Sequence, residues 1–442
     1  MSQSLDPKDS IVPASTGPSR REFLKTQATA ATAAAALLAT GNYAYGDGSS
    51  KLRVGLIGCG GRGTGAAAQA LAADPGAVLV AMGDVVKEKI DGSLAAIKGE
   101  SNVAAQVQVP ADKCFVGLDS YQQVLASGID VALLTTPPGF RPIHIKAAVE
   151  AGKHVFAEKP MGTDAVNVRA ALTAARMARA RKLCFVAGFC WRYDPARREF
   201  YRRIHDGAIG PVRHVHATYL TGPVKPMPPA DTRPAGMSDT EWQIRNWYNF
   251  VWLSGDGLIE QACHSVDKIL WAMNDKPPLR CVATGGRVLP NHEGNIYDHI
   301  DVFYEWPDGT RATMAQRQIP CQANENSDYI AGAKGLGVIS GGEVEIRGDA
   351  PWKYAGPKKD MYQVEHDELF AAIRKGVPIN DCERMGRSTL VGLMGRMAAY
   401  TGEEITWEQM QNSREDLYPK SLKWDGALEI AAMAVPGKNK FV

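Results

Sequence analysis

The chain lacks several things that would narrow its class at once. It has almost no net charge. Its 442 residues carry 50 Lys and Arg against 48 Asp and Glu, a formal balance of +2. That gives no electrostatic reason to bind nucleic acid or an anionic membrane. It also lacks a cysteine framework. Of eight cysteines, Cys59 sits inside a glycine-rich turn and Cys263 precedes a histidine, and no spacing reads as a disulfide scaffold or a zinc ribbon. Mostly free thiols and no bound metal are the expectation. No internal repeat is visible. No stretch is apolar enough for a stable membrane span. Residues 26–46 carry no charge, but Thr, Gln and Asn interrupt them, and a span needs about 20 strongly apolar residues.

What is present begins with that uncharged run. It is alanine-rich and follows "SRREFLK", residues 19–25, with Arg20 and Arg21 adjacent. A polar start, a weakly apolar middle and a small-residue exit describe a signal peptide. The arginine pair resembles the twin-arginine (Tat) consensus. Residues 1–46 are therefore set aside as a signal. The implied partner is the Tat export machinery, and the implied location is the periplasm or cell envelope, reached in the folded state. The remaining ~400 residues suit two domains. An apolar content of 45% and a charged content of 22% are ordinary for globular proteins.

Leu52–Ile57, "LRVGLI", is rich in β formers and runs into Gly58-Cys59-Gly60-Gly61-Arg62-Gly63, then into the helical "TGAAAQALAA". Glycines in this order between strand and helix fit a dinucleotide. Gly58 permits the turn, Gly60 admits the pyrophosphate, and Gly63 lets the helix pack close. The helix N-terminus offers free N–H groups to phosphate. A second strand, "AVLVAMGD", ends at Asp84, about 20 residues further on. A carboxylate there accepts a ribose diol and repels a 2′-phosphate, which argues for NAD over NADP; a solvated loop acid is the alternative. Arg62 is placed near adenine or phosphate. Apolar runs at 130–136, 154–159 and 183–189 alternate with helical patterns at 143–151 and 165–180. This alternation predicts an α/β fold, a doubly wound parallel (Rossmann) sheet over 51–190.

Two further groups carry chemistry. Glu158-Lys159-Pro160 ends a strand, and Pro160 biases Lys159 toward an extended backbone that aims it out of the sheet. Burial beside a cationic nicotinamide would lower the Lys159 pKa. Glu260, His264 and Asp267 fall at i, i+4 and i+7, one face of a helix, with histidine the natural base for a hydroxyl proton. A buried structural cluster is the plain alternative. Trp242, Trp247 and Trp252 precede this group, and aromatic faces serve sugar stacking and core packing alike. His144 reads as a capping or structural residue.

Taken in order, "VGLIGCGGRG", Asp84, "TPPGFRPIH", "GKHVFAEKP", "VAGFCWRYDP", "GAIGPVRHV" and "GDGLIEQACHSVD" resemble the Gfo/Idh/MocA oxidoreductases. The resemblance implies a second α+β domain, residues 191–442, with a large, open, mostly antiparallel sheet whose exposed face makes a homo-oligomer. "HIDVFYEWPDGTRATMAQRQI" and "LGVISGGEVEIRG" read independently as hairpins. It implies Lys159, His264 and Glu260 as catalytic, and Tyr193, Trp247 and Asp267 on the substrate side. It places the cofactor on Gly58, Gly60, Gly61, Arg62, Gly63, Asp84, Thr136, Pro137, Glu158 and Lys159. Relatives usually carry Asp four residues before the histidine. Glu260 here has a longer arm, which leaves open whether it touches substrate or orients His264. The implied activity is NAD-dependent hydride transfer at a secondary hydroxyl of a sugar, polyol or glycoside. A redox-neutral NAD-dependent glycosidase and a non-catalytic sugar- or nucleotide-binding protein are the competing readings.

Overall fold

The computed structural model describes residues 50–289 and 293–442; the expected signal, residues 1–46, lies outside them. The first sheet has six parallel strands in the order β3-β2-β1-β4-β5-β6. They are β1 (Leu52–Ile57), β2 (Ala77–Asp84), β3 (Cys114–Val116), β4 (Val131–Leu134), β5 (His154–Ala157) and β6 (Phe185–Ala187). All four residues of β4 are buried, as a strand covered on both faces requires. The chain runs outward from β1 to β3, then returns to the other side of β1 at β4. Loops leaving β1 and β4 therefore diverge, and a crevice opens between them.

Helix α1 (Gly61–Ala73) follows β1 and buries Ala66, Ala67, Ala70 and Leu71. Small side chains let it lie close to the sheet. Helix α2 (Arg141–Glu150) follows β4 and α3 (Ala165–Ala180) follows β5. Asp164 caps α3 by accepting from the Asn167 N–H at 2.8 Å.

The second sheet has nine strands, ordered β14-β13-β12-β11-β7-β10-β9-β8-β15, with β11 at Asp328–Gly332, β14 at Trp352–Lys353 and β15 at Ile405–Thr406. Its centre is β7 (Val212–Thr221), which pairs in parallel with β10 (Arg311–Gln318). All other pairings in it are antiparallel. The hairpin of β9 (His299–Glu305) and β10 turns through Pro307-Asp308-Gly309. The hairpin of β12 (Gly335–Ser340) and β13 (Glu343–Gly348) turns through Gly341 and Gly342, at φ +58° and +82°. Consecutive positive φ values make the tight primed turn that glycine favours.

The segment between β7 and β8 (Arg280–Gly286) carries α4 (Asp239–Arg245), α5 (Gly257–Glu260) and α6 (Cys263–Ala272). The chain then crosses back. Helix α7 (Met361–Lys375) packs on α1. Arg374 grips Asp74 at 2.6 and 2.8 Å, and Phe185 of β6 exchanges backbone hydrogen bonds with Ile379 and Asp381. Helix α8 (Cys382–Thr401) is buried almost all round. The eight cysteines are free thiols. No helix among the described residues is long and apolar enough to cross a membrane.

Candidate active site

A cavity of about 660 Å³ runs along the carboxyl ends of the first sheet. Asp84 and Leu118 border it beyond β2 and β3. Gly58, Gly60, Gly61 and Gly63 line its middle, and Lys159, Glu260 and His264 border it beyond β5.

The glycine loop is shaped for a bound phosphate group. Gly58 has φ +96°, and a Cβ there would lie 2.7 Å from the Thr136 nitrogen. A Cβ on Gly63 would lie 2.0 Å from the Gly58 carbonyl oxygen, so the helix could not approach. Added Cβ atoms on Gly60 and Gly61 would meet nothing within 4 Å; they would project into the cavity, where backbone closeness matters. Helix α1 has no side-chain cap and no acid in its first turn. Its N–H groups and positive dipole end are left to an anion. The donor set fits a dinucleotide.

Asp84 stands where expected. Its Oδ2 accepts the Cys59 N–H at 2.7 Å and its Oδ1 the Val86 N–H at 3.0 Å, which orients the carboxylate at the cavity edge. Burial raises its pKa, with backbone hydrogen bonds opposing. Thr136, Pro137 and Glu158 also line the cavity. Arg62 does so differently from the expectation. Its guanidinium turns to Glu158 at 2.5 Å and Glu365 at 3.2 Å and lies over the Tyr362 ring. Two carboxylates claim it, so it ties α1 to β5 and α7 instead of facing phosphate.

Lys159 and Glu260 form a buried pair, Nζ to Oε1 at 3.1 Å, each side chain 10% exposed. Nζ also donates to the Glu260 carbonyl. The Lys159–Pro160 bond is cis, and Arg141 braces the segment by donating to the carbonyls of Thr136, Lys159 and Pro160. The expected lowering of the Lys159 pKa is corrected. Burial does press it down, but the Glu260 carboxylate, with Cys263 and Glu158, outweighs burial and raises it.

The helix carrying Glu260 and His264 is broken. α5 ends at Glu260 and α6 starts at Cys263. Asp256 (φ +92°) sets the entry by accepting from the Leu258 and Tyr297 N–H groups and the Tyr400 hydroxyl. Glu260 does not orient His264. Its second oxygen accepts from Gln261 Nε2 at 2.6 Å, and Gln261 Oε1 accepts from the Tyr219 hydroxyl at 2.8 Å. His264 instead stacks on Trp191, ring centroids 5.3 Å apart, with Phe189 edge-on. Burial first, then Lys159, Lys268 and Arg197, push its pKa well below the usual range. Its Nδ1 is buried without a hydrogen-bond partner.

Two expected substrate residues lie elsewhere. Asp267 is 2% exposed and accepts from Arg192 Nε at 2.7 Å and Ser388 Oγ at 2.7 Å. Tyr193 is buried, and its hydroxyl donates to Asp381 at 2.7 Å. Of the three tryptophans, Trp247 lines the cavity; Trp252 and Trp242 are buried, bonded to Gln243 and Glu293. Sequence reasoning missed Tyr219, Gln261, Trp191 and Arg141. Gln261 adjoins Glu260 and was open to inspection; Tyr219 comes from β7, which no local pattern links to the site.

Two family descriptions match the chain. Residues 52–189 match "Oxidoreductase family, NAD-binding Rossmann fold", and residues 198–336 match the "GFO/IDH/MocA C-terminal domain". An inositol 2-dehydrogenase of Rhizobium meliloti is 24% identical over 307 residues, 66% of this chain and 85% of that protein. Inositol 2-dehydrogenase 4 of Saccharopolyspora erythraea is 32% identical over 176 residues, 40% of this chain and 47% of that one. The chain thus spans about half the length of the second relative. Among solved structures, the WlbA dehydrogenase of Bordetella pertussis, in complex with NADH and UDP-GlcNAcA, superposes with a TM-score of 0.62 at 22% identity. The match covers 80% of this chain and 98% of that one, and shows the shared fold. With two family descriptions spanning more than half its length in the expected order, and a glycine cradle that fits NAD, the chain belongs to the Gfo/Idh/MocA family of oxidoreductases.

Proposed function

We propose that the protein transfers hydride between a secondary hydroxyl of a sugar, polyol or glycoside and a nicotinamide that stays bound through the cycle. The observation that carries this reading is one cavity holding both the glycine cradle and the Lys159–Glu260–His264 group. Bound NAD supplies the hydride acceptor. Lys159, kept as an ammonium by Glu260, donates a hydrogen bond to the substrate oxygen and supports the charge that develops there. His264, held neutral, lines the same cavity and is the base for the hydroxyl proton. Relatives named as inositol dehydrogenases support a polyol or sugar as the substrate class.

The retained cofactor follows from the export signal. The cell envelope offers no ready NAD pool, so a protein folded around NAD and exported by the Tat route would keep its molecule and reoxidise it with a second substrate. A homo-oligomer would use the open sheet face, where Val282 and Phe303 are cross-strand neighbours, each nearly half exposed. Light scattering of wild type and Phe303→Glu tests this: a larger particle that falls to a monomer is expected.

The test of function is to purify the folded chain, release any nucleotide by heat and identify it by mass. NAD is expected. Feeding sugars and polyols one at a time should give one stoichiometric rise at the reduced-nicotinamide band. His264→Ala should abolish it while the nucleotide stays bound. A folded protein that binds NAD yet reduces it with no polyol would favour the binding-protein reading. Release of an aglycone with no net reduction would favour the glycosidase.

A further inference from the structure

The far end of the dinucleotide site is not walled by the first domain alone. Beyond β2 and β3, where Asp84 would accept the adenosine ribose, the cavity is also bordered by Lys225, Ile244, Arg245 and Trp247. All four belong to the segment between β7 and α5. This segment is fastened on itself: Lys225 Nζ donates to the Arg245 carbonyl at 2.5 Å, and Asn249 Nδ2 to the Lys225 carbonyl at 3.2 Å. It is also fastened across the cavity. Val85 and Leu118, from the loops after β2 and β3, join an apolar cluster with Ile244, Phe250, Met227 and Trp247.

A second layer lies behind it. The same cluster takes in Leu417, Tyr418, Leu422, Trp424, Leu428 and Ile430 of the irregular C-terminal stretch. That stretch grips α4 by polar contacts as well. Gln243 Nε2 donates to the Leu428 carbonyl at 2.7 Å, the Leu428 N–H to Asp239 at 3.2 Å, and Ser238 Oγ to the Trp424 carbonyl. Charge agrees with an anionic occupant. Lys225 lies close enough to Lys89, another cavity residue, for their repulsion to add to burial in lowering the Lys225 pKa. Two lysines bordering one end of the cavity favour an anionic occupant there.

We infer that residues 222–250 form a strap over the adenosine half of the NAD site, pinned from behind by residues 417–430, and that the strap makes NAD release slow. The inference rests on the proposed NAD-dependent function and gives the retained cofactor a physical cause. Release needs the strap to lift, and lifting breaks the pinning contacts. The main effect should fall on the off-rate.

The experiment uses the full chain. Protein loaded with NADH is mixed with excess NAD, and the loss of bound-NADH fluorescence gives the release rate. Trp424→Ala, which removes a pin without touching the cavity, should speed release on the order of tenfold. Lys225→Gln should do the same and also weaken binding of ADP, the adenosine half alone. Thermal melts report whether each variant folds; Lys225 is only partly buried, so Lys225→Gln stands as the test if Trp424→Ala does not fold. Release rates within twofold of wild type in a folded variant overturn the strap alone and leave the NAD reading intact. A folded wild type that binds no NADH overturns both.

Discussion

Glu260→Gln separates the forces on Lys159. In the wild type the ammonium is buried, yet the carboxylate 3.1 Å away keeps its pKa above the ordinary lysine value. Glutamine preserves the shape but removes the charge. It also offers one acceptor where two donors, Lys159 Nζ and Gln261 Nε2, now converge. Burial, the largest single influence, is then opposed only by Cys263 and Glu158, and the expectation is a lysine pKa below the unfolded value of about 10.4. Breaking a buried pair from one side costs about 3–5 kcal/mol. The retained carbonyl contact with Nζ puts the expectation near the lower figure, about 3 kcal/mol at neutral pH. The sign of the pH dependence changes as well. In the wild type the folded state holds this proton more tightly than the unfolded chain. The pair's contribution is full below about pH 10 and is lost as pH rises through the folded pKa. In Glu260→Gln the folded state releases the proton first, so stability rises with pH up to about 10.4. Denaturant melts of both proteins between pH 7 and 10.5 measure this. A variant whose stability runs parallel to wild type across that range would refute the reasoning, because Glu260 would then not set the charge on Lys159.

Asp84→Ala removes a ribose acceptor and a charge that repels a 2′-phosphate. NAD affinity should fall by roughly 10- to 100-fold, from about 1.5–3 kcal/mol for a hydrogen bond to a charged group, while NADP loses less; direct titration of both cofactors checks it. Asp267→Asn should cost about 3 kcal/mol of stability through its buried partner Arg192, yet leave NAD affinity within twofold, as equilibrium unfolding beside NAD titration would reveal. Arg20→Lys combined with Arg21→Lys should strand the protein in the cytoplasm if the leader is read by the Tat machinery, a matter for cell fractionation.

Local signals carried the first domain. A β-rich run, a glycine turn and an alanine helix are contiguous, so Leu52–Ala73 could be read without tertiary knowledge. β3 was invisible because three residues, Cys114 to Val116, hold no period. The hairpin at Gly341-Gly342 announced itself by its turn, whereas β7 pairs with β10 about a hundred residues away and has no turn to betray it. In the site, residue types were legible and directions were not. An unbroken helix puts Glu260, His264 and Asp267 on one face; here the helix breaks after Glu260, and the three side chains meet Lys159, Trp191 and Arg192 respectively. The charge on Lys159 likewise depends on Glu260, which meets it from 101 residues further along the chain.

The return of the chain to its first sheet sets a clock. β6 is completed by hydrogen bonds to residues 379–381, and α1 is covered by α7. A ribosome adding about 5–20 residues per second needs roughly 20–60 s to travel from the glycine turn to those residues. Through that interval residues 1–46 have been made while the nucleotide site is unfinished. An exporter that accepted the chain on sight of its arginines would carry it away empty. If the proposed Tat route is the one used, quality control that waits for a folded passenger, in step with the slow closure of this site, would let the protein leave with its cofactor aboard.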